Sequence, residues 1–208
     1  MMTATATATS PIHELIQHEP LVFESSMNKE QFNNFVLRHT DLRIERDKHG
    51  IITIHPPMTL KSSLYEGLAF TKLSNWSIAN PGRGTAFSPS ASFNLPDGSQ
   101  KKADGAWISK QKLDLLTEEE EDSIPDLVPD FVMEVVSKTD SLKKQKEKME
   151  EVWIENGVRL AWLIDPKNEK AWVYRADGTM ETIEDFEQSL SGEDVLPGFQ
   201  FHLWELRK

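Results

Sequence analysis

The sequence predicts a mixed α/β fold in which a central mixed β-sheet is flanked by helices. The first observation is a pair of short apolar runs at residues 131–136 and 159–164, separated by a helical segment at 140–155. Such runs are typical of buried strands, and a strand–helix–strand unit makes its two strands parallel through a right-handed crossover. The second observation is that the remaining strand-like segments are separated by short turns, which favours antiparallel pairing. Both strand directions are therefore expected in one sheet.

Apolar spacing and turn signals place the other elements in order along the chain. Helices are expected at 27–38 and 62–79, where apolar residues recur at helical spacing, and the helix at 140–155 is expected to be capped by Thr139 or Asp140. The other predicted segments are a β-hairpin around Lys48-His49-Gly50, strands at 85–87, 90–94 and 102–108, a brief helix and an acidic loop at 118–122, strands at 171–175 and 179–183, and one or two short strands within 195–206.

Composition indicates a packed globular protein without disulfides. The chain has 208 residues, of which 38% are hydrophobic, including 6 Trp and 10 Phe, so it can bury a sizeable core. It has 0 Cys, which excludes disulfides and thiolate metal sites. Residues 3–9 alternate Thr and Ala with no hydrophobic face, so we expect a disordered tail over 1–25 and a single domain over 26–208.

No feature of the sequence indicates secretion or membrane insertion. The N-terminus has neither the basic start nor the apolar core of a secretory signal. No apolar run approaches the length that spans a bilayer. We therefore expect a cytoplasmic protein with no membrane segment.

Charge counts against broad electrostatic binding of nucleic acid without excluding it. The formal net charge is −11, whereas phosphate contacts depend on Lys and Arg. The charge is uneven, since residues 118–122 form an acidic run and Lys143, Lys144, Lys146 and Lys148 form a basic cluster. Carboxylates can also be metal ligands, and a bound metal offsets part of their charge.

Glu134 is the most informative residue for function. It lies inside the apolar run FVMEVV at 131–136, where an ionised carboxylate without a partner would be prohibitively costly. It therefore needs a proton, a cation or a metal ion. The alternatives are that Glu134 faces solvent on an edge strand or that it pairs with a lysine.

A metal site needs a second carboxylate, and Asp104 is the better of two candidates. Asp130 lies about 13 Å from Glu134 along an extended strand, too far to share one ion whose oxygen ligands lie about 2.0–2.6 Å away. Asp104 is followed by Gly105, which permits close approach of another group, and an adjacent antiparallel strand could place Asp104 opposite Glu134. The alternative is that Asp104-Gly105 is a turn.

A base or an electrostatic helper is expected from the helix that follows. On a helical wheel Lys146 lies near the centre of the apolar stripe and Lys148 lies at its margin, so either could reach toward the sheet. The alternative is that the whole lysine cluster is a solvated face with i,i+4 pairs such as Lys143–Glu147 and Lys146–Glu150.

Taken together, these segments resemble the Uma-type family of the PD-(D/E)XK, restriction endonuclease-like superfamily. The specific part of the resemblance is the combination of PDFVMEVVS at 129–137, the helix start at 140–142 with Lys148-Met149, and NGVRLAWLIDP at 156–166. Upstream, residues 84–95 and ADGAWIS at 103–109 look like the first catalytic strand of that family, and VLPGF at 195–199 looks like its usual ending. The resemblance covers residues 40–206 approximately.

The resemblance implies a central mixed sheet flanked by helices and a metal-assisted hydrolysis of phosphodiester bonds in DNA. Asp104 and Glu134 match the motif carboxylates, which would bind Mg²⁺ or Mn²⁺ with the main-chain carbonyl of Val135. Lys148 matches the lysine that orients or deprotonates water. Glu66, in the helix before these strands, matches an accessory acid.

The chain departs from the family pattern near the lysine. Val136 stands where the superfamily has a lysine, and the Uma-type family takes its lysine from the next helix. Family members place that lysine four residues before an aromatic, whereas Trp153 follows Lys148 by five. Ala103 and Lys138 stand where the family usually has prolines. Either the helix carries an extra residue, or a residue other than Lys148 supplies the amine.

Three functions are open at this level. The leading one is a Mg²⁺-dependent DNA endonuclease. The second is a catalytically inactive protein of the same fold that binds a protein or nucleic acid through its helix surface. The third is a structural homodimer module. Superfamily members often form dimers, so dimerisation does not discriminate between them, whereas metal binding that depends on Asp104 and Glu134 does.

Overall fold

The computed structural model describes residues 19–138 and 140–207. Its strands are β1 (Leu21–Glu24), β2 (Arg43–Arg46), β3 (Ile51–His55), β4 (Gly84–Phe87), β5 (Phe93–Asn94), β6 (Gln100–Lys101), β7 (Gly105–Ser109), β8 (Phe131–Val135), β9 (Leu160–Asp165), β10 (Lys170–Arg175), β11 (Met180–Ile183), β12 (Ser189–Ser191) and β13 (Gln200–His202). Its helices are α1 (Lys29–Arg38), α2 (Leu60–Ala79), α3 (Lys110–Leu113), α4 (Glu118–Glu121) and α5 (Leu142–Glu147), which continues into a π-helical segment (Lys148–Ile154); a 3-10 helix covers Leu203–Leu206.

The main sheet contains six strands in the order β11-β10-β9-β8-β7-β4. Strands β8 and β9 are parallel, and the other neighbouring pairs of this sheet are antiparallel. Helix α5 and the π-helical segment connect β8 to β9, which is the strand–helix–strand unit that the sequence predicts. The mixed α/β fold with a central mixed sheet flanked by helices is confirmed.

Strand β8 has a different core layer on each of its faces. Phe131 and Met133 belong to the cluster formed with α2 and the C-terminal segment. Val132 belongs to the cluster that contains Trp153 of the π-helical segment. Since successive side chains of a strand point to opposite faces, Glu134 shares the face of Val132. The carboxylate of Glu134 therefore lies on the side of the sheet that the π-helical segment covers.

Helix α2 covers the opposite face of the main sheet. It begins after Thr59, whose side-chain oxygen accepts a hydrogen bond from the Ser62 N–H at 3.2 Å. Tyr65, Ala69 and Leu73 recur at four-residue spacing and are buried against the sheet. Within the described part of the chain, no helix combines the length and the apolar character that crossing a bilayer requires.

A second sheet has five strands in the order β1-β3-β2-β6-β5. Strands β2 and β3 form the antiparallel hairpin that the sequence predicts. With α1 they enclose a separate core around Phe32, Ile44 and Ile52. Strand β2 also carries Arg43, whose guanidinium reaches Asp104 beside the main sheet. The two sheets therefore meet at that carboxylate.

The prediction of a disordered tail over 1–25 is wrong for its last residues. Leu21–Glu24 form β1, which pairs antiparallel with β3. Leu21 and Phe23 alternate along this strand and pack against the core of the second sheet, which is the physical reason for its order. Residues 1–18 lie outside the described residues, and the single domain over 26–208 stays a prediction.

The acidic segment is a helical turn rather than a loop. Glu118–Glu121 form α4, and Thr117 accepts a hydrogen bond from the Glu120 N–H while the Glu120 carboxylate accepts one from the Thr117 N–H. This reciprocal pair is a capping box. Acidic side chains are favourable in the first turn of a helix, which explains why a run of four glutamates is helical here.

The cap of α5 also differs from the prediction. Ser141 accepts the hydrogen bond of the Lys144 N–H, so it is the capping residue. Asp140 does not cap the helix, because its carboxylate accepts from the Ser137 N–H at 2.7 Å. Thr139 lies outside the described residues. The strands β6 and β12 were not predicted, since each has only two or three residues.

Candidate functional site

A cavity of about 530 Å³ lies where β2, the start of β7, the end of β8 and the π-helical segment meet. Its lining includes Arg43, Glu45, Asp104, Glu134 and Lys148. Three of these residues are the motif residues that the sequence predicts, and the structure brings them together in one place. Arg43 and Glu45 were not predicted.

The pairing of β7 with β8 sets the two predicted carboxylates side by side. Gly105 is opposite Met133 in an antiparallel register, and continuing that register by one position sets Asp104 opposite Glu134. Asp104 Oδ2 accepts a hydrogen bond from the main-chain N–H of Val135 at 2.8 Å. Asp104 is 6% exposed and Glu134 is 3% exposed. The two buried carboxylates therefore line the same cavity rather than opposite faces of the sheet.

Glu134 is held by two side chains of the π-helical segment. Lys148 Nζ lies 2.7 Å from Glu134 Oε1, and Trp153 Nε1 donates a hydrogen bond to the same oxygen at 2.9 Å. Lys148 Nζ also donates to the main-chain oxygen of Lys102 at 3.3 Å. Of the alternatives for Glu134, the pairing with a lysine is present in the structure, whereas a solvent-facing position on an edge strand is wrong.

The π-helical geometry explains the five-residue spacing from Lys148 to Trp153. The Glu155 N–H bonds to the Glu150 oxygen at 3.0 Å, and the Val158 N–H bonds to the Trp153 oxygen at 3.1 Å, so each bond spans five residues. In an α-helix, five residues would separate the two side chains by about 140°. The wider π turn returns them to one side, where both reach Glu134. The five-residue spacing is thus compatible with both side chains contacting Glu134, and π turns of this kind are frequent at functional sites.

Arg43 bridges carboxylates from three elements. Its Nη1 lies 2.9 Å from Asp104 Oδ1 and 3.9 Å from Glu66 Oε2. Its Nε lies 3.7 Å from Glu45 Oε1 on the same strand. Burial works to lower the pKa of Arg43, but Asp104 and Glu45 raise it above its ordinary value. The guanidinium is therefore a fixed positive charge at the centre of the carboxylate cluster.

Glu45 is a buried carboxylate surrounded by basic side chains. Lys148 Nζ lies 3.8 Å from its Oε1, while Lys101 Nζ at 3.6 Å and His55 Nε2 at 3.8 Å approach its Oε2. Burial would raise the pKa of Glu45, yet Lys148, His55 and Lys101 hold it well below its usual range. Glu45 therefore stays ionised and gives Lys148 a second anionic neighbour besides Glu134.

The carboxylates of the cluster raise one another's pKa. Burial raises the pKa of Glu134 to about 7, with Lys148 acting against the rise and Asp104 adding to it. Burial and the charge of Asp104 raise the pKa of Glu66 to about 7, against Arg43. Glu66 Oε2 is buried and has no hydrogen-bond partner among the described residues. Burial is thus the largest cause of both raised pKa values, and the charge of Asp104 adds to each.

The donor set fits a hard divalent cation. Asp104 and Glu134 offer carboxylate oxygens, the ligand type that Mg²⁺ and Mn²⁺ prefer, and Glu66 Oε2 is a nearby buried oxygen without a hydrogen-bond partner among the described residues. No group of three or more His, Cys, Asp or Glu side chains among the described residues has the arrangement of a metal centre. A cation here would therefore depend on few carboxylates together with main-chain and water oxygens, as Mg²⁺ sites commonly do. Val135 lines the same cavity.

Lys146 lies away from this cluster, contrary to its predicted accessory role. Its Nζ lies 4.1 Å above the ring of Trp172, and Lys146 is not among the residues that line the cavity. Its amine is therefore committed to a cation–π contact on the apolar side of the helix. The neighbouring Lys143 pairs with Glu147 at 3.7 Å, as the solvated-face alternative expects.

Arg43 and Glu45 were missed because their function depends on a contact between distant segments. They alternate along β2, so both lie on one face of the predicted hairpin, and this was the signal available in the sequence. Charged residues on one face of a hairpin are ordinarily expected to be exposed to solvent. Only the packing of the second sheet against the start of β7 turns it toward Asp104.

The family model Uma2, described as "Putative restriction endonuclease", matches residues 30–204. The chain belongs to the Uma2 family. The matched region includes each residue of the cavity cluster described above, from Arg43 to Lys148. No curated protein matches this Uma2 chain.

Solved structures agree with the fold of the Uma2 protein. A crystal structure described as a "putative nuclease belonging to DUF820" from Anabaena variabilis ATCC 29413 matches with a TM-score of 0.69 and 18% identity, and the match covers 86% of this chain and 97% of that one. At this identity the likeness shows the fold, which is the restriction endonuclease-like fold. The structure described as a DrdV–DNA complex matches with a TM-score of 0.38 and 11% identity over 59% of this chain and 10% of that one, too slight to carry an argument.

Proposed function

We propose that this Uma2 protein is a Mg²⁺-dependent endonuclease that hydrolyses phosphodiester bonds of DNA. The observation that carries the proposal is the convergence of Asp104, Glu134 and Lys148 on one cavity, although they come from three separate elements. Two carboxylates and a lysine of this kind are what metal-assisted phosphodiester hydrolysis requires. The family match supports a nuclease, and the choice of DNA rests on the description of that family as restriction endonucleases.

Asp104 and Glu134 are the proposed ligands of the cation, together with the main-chain carbonyl of Val135, and Glu66 is the proposed accessory acid. The bound Mg²⁺ or Mn²⁺ would supply charge stabilisation at the phosphate and a lower pKa for a water ligand. The Val135 N–H fixes the orientation of Asp104 through its bond to Oδ2. Trp153 does the same for Glu134 through its bond to Oε1.

Lys148 is the proposed partner of the attacking water. Burial works to lower its pKa, but Glu134 and Glu45 raise it above its ordinary value. In the protein without a metal ion, Lys148 is therefore a cation, which suits it to orienting a water molecule and to stabilising negative charge on a phosphate oxygen. Its contact with Glu134 at 2.7 Å places its amine beside the proposed metal ligands.

A catalytically inactive binding or dimeric scaffold of the same fold is the second candidate. The observation that favours it is that each motif carboxylate already has a cationic neighbour, Arg43 for Asp104 and Lys148 for Glu134. Such pairs stabilise buried carboxylates without a metal ion. The cytoplasmic location and the homodimer stay predictions for either candidate.

Calorimetric titration with Mg²⁺ and Mn²⁺ tests the proposal. We expect the wild type to bind, and Asp104→Asn and Glu134→Gln to lose at least about tenfold in affinity, because each variant removes a charged oxygen ligand while keeping its shape. The matched control is Glu119→Gln, an exposed carboxylate of α4. Cleavage of duplex DNA should likewise be lost in Asp104→Asn and Glu134→Gln and be kept in Glu119→Gln.

Unchanged cation affinity in folded Asp104→Asn and Glu134→Gln would reject the metal site and favour the scaffold. Light scattering measures the oligomeric state of the wild type. A dimer that binds no cation would support the structural homodimer instead.

A further inference from the structure

Arg43 occupies one of the two carboxylate oxygens of Asp104. Its Nη1 lies 2.9 Å from Asp104 Oδ1, while Oδ2 of the same carboxylate accepts from the Val135 N–H at 2.8 Å. Both oxygens of Asp104 therefore already have a donor. The donor on Oδ2 belongs to the main chain of β8 and is fixed, whereas the donor on Oδ1 belongs to a flexible side chain.

A divalent cation and the Arg43 guanidinium compete for the same charge. Arg43 also approaches Glu66 Oε2 at 3.9 Å, so it is the cation that this pair of carboxylates shares. A cation bound at Oδ1 of Asp104 would lie within a few ångströms of this guanidinium, and like charges that close together in a poorly screened site repel each other. If the cation enters, as the proposed function requires, Arg43 must leave Asp104.

The fold provides a place for the released guanidinium. The Arg43 side chain is 25% exposed and lines the cavity of about 530 Å³, so it can turn without unfolding β2. Its Nε lies 3.7 Å from Glu45 Oε1, which keeps it near the cavity. A guanidinium carries five N–H donors in a planar fork that suits phosphate oxygens, and it stays charged at any physiological pH.

We propose that Arg43 is an exchange residue, which holds Asp104 in the absence of a metal ion and turns onto the phosphate group of the substrate when the cation binds. This inference rests on the proposed function, because it needs a cation on Asp104. In this proposal both sheets contribute to the site. Strand β2 of the second sheet supplies the ligand of the phosphate, and the main sheet supplies the ligands of the metal ion. The substrate class is a phosphodiester whose phosphate enters the cavity beside the cation.

Two substitutions separate the two parts of this exchange. Arg43→Gln removes the competing charge, so we expect Mn²⁺ affinity to rise at least about tenfold, because the buried Asp104 loses its resident cation. Arg43→Lys keeps a positive charge, so we expect Mn²⁺ affinity close to that of the wild type. Calorimetric titration measures both, and near-ultraviolet circular dichroism shows that each variant is folded.

Inorganic sulfate is the probe for the phosphate. Thermal unfolding of the Mn²⁺-loaded protein is measured in sodium sulfate and in sodium chloride of equal ionic strength. We expect sulfate to protect the loaded wild type more than the metal-free wild type, and this extra protection to disappear in Arg43→Gln and to weaken in Arg43→Lys, whose amine cannot form the planar fork.

Other results of these experiments would contradict specific parts of the proposal. Weaker Mn²⁺ binding by folded Arg43→Gln would mean that Arg43 only organises Asp104. Binding equal to that of the wild type would mean that Arg43 does not compete with the cation for Asp104. Either result would overturn the exchange but leave the proposed metal site intact. Tighter binding with sulfate protection unchanged would overturn the phosphate role. The absence of Mn²⁺ binding in both wild type and Arg43→Gln would overturn the proposed function, and with it the exchange.

Discussion

At the residue scale, the cluster is a set of buried charges that share their partners. Lys148 contacts Glu134 and Glu45, and Arg43 contacts Asp104, Glu66 and Glu45. Burying a charge is costly unless it is paired and hydrogen-bonded. Glu134 and Glu66 are the two carboxylates for which burial outweighs their partners, since the pKa of each is raised. A cation bound beside them would favour their ionised forms.

The stability of the metal-free protein should fall as pH rises through the mildly acidic range. Glu134 and Glu66 each have a pKa of about 7 in the folded protein against an ordinary value of 4.5. Between these values the unfolded chain releases protons that the folded protein keeps, so the free energy of unfolding decreases with pH and levels off above about pH 7. Each unit of pKa shift corresponds to about 1.4 kcal/mol. Urea unfolding in the presence of a chelator, at several pH values, measures this slope.

Glu134→Gln should flatten that slope, because glutamine has no proton to release. Glu119→Gln, an exposed position on α4, is the matched control and should keep the wild-type slope. Glu45 acts in the opposite direction but outside this range, since its pKa lies well below its ordinary value in the folded protein. A Glu134→Gln variant as pH-dependent as the wild type would show that the burial of this carboxylate does not control the effect.

At the scale of single elements, the close approach of β7 and β8 is what sets Asp104 beside Glu134. A Cβ atom built on Gly105 would lie 2.3 Å from Met133 Cε and 3.2 Å from Met133 Cγ. The glycine beside Asp104 therefore leaves room for the Met133 side chain, and the alternative of a turn at Asp104-Gly105 is wrong, since Gly105 begins β7. The π-helical segment positions the partners of Glu134, because both Lys148 and Trp153 contact this carboxylate.

Gly105→Ala should destabilise the protein by about 1–3 kcal/mol, because the added methyl group overpacks a filled core. The matched control is Gly67→Ala, where an added Cβ meets nothing within 4 Å in the interior of α2. That change should stabilise by about 0.5–1 kcal/mol through helix propensity. Urea unfolding measures both, and Mn²⁺ affinity should fall only in Gly105→Ala. Equal stability of the two variants would show that Met133 yields without moving β8.

The sequence predicts the main sheet better than the second one, for a physical reason. The runs around Phe131 and Leu163 are apolar and long enough to be recognised as buried strands, and the helix between them forces a parallel crossover. Strand β1 is half-buried and β6 has two residues, so neither has a distinct pattern. Glu134 stands out in the sequence for the same reason, as a charge inside an apolar run, whereas Asp104 is indicated by the glycine that follows it and by the family resemblance. Arg43 and Glu45 were not predicted, because only a contact between two sheets brings them there.

At the scale of the whole molecule, the formal net charge of −11 limits how the proposed DNA substrate can bind. The basic side chains that line the cavity are Arg43, His55, Lys138 and Lys148. A protein of net negative charge repels the phosphate backbone, so contacts should be confined to the few phosphates nearest the cavity. Binding should then depend on the cation, which neutralises the carboxylates at the point of contact.

The salt dependence of DNA binding tests this arrangement. With three or four phosphate contacts, the slope of the logarithm of the association constant against the logarithm of salt concentration should be about −3 to −4 in the presence of Mg²⁺. Anisotropy of a labelled duplex measures it. Lys138→Gln should reduce the slope by about one unit, because it removes one phosphate contact. Lys170→Gln, which is paired with Glu184 and does not line the cavity, should leave it unchanged. A slope near −10 would indicate a broad basic contact surface and would contradict this arrangement.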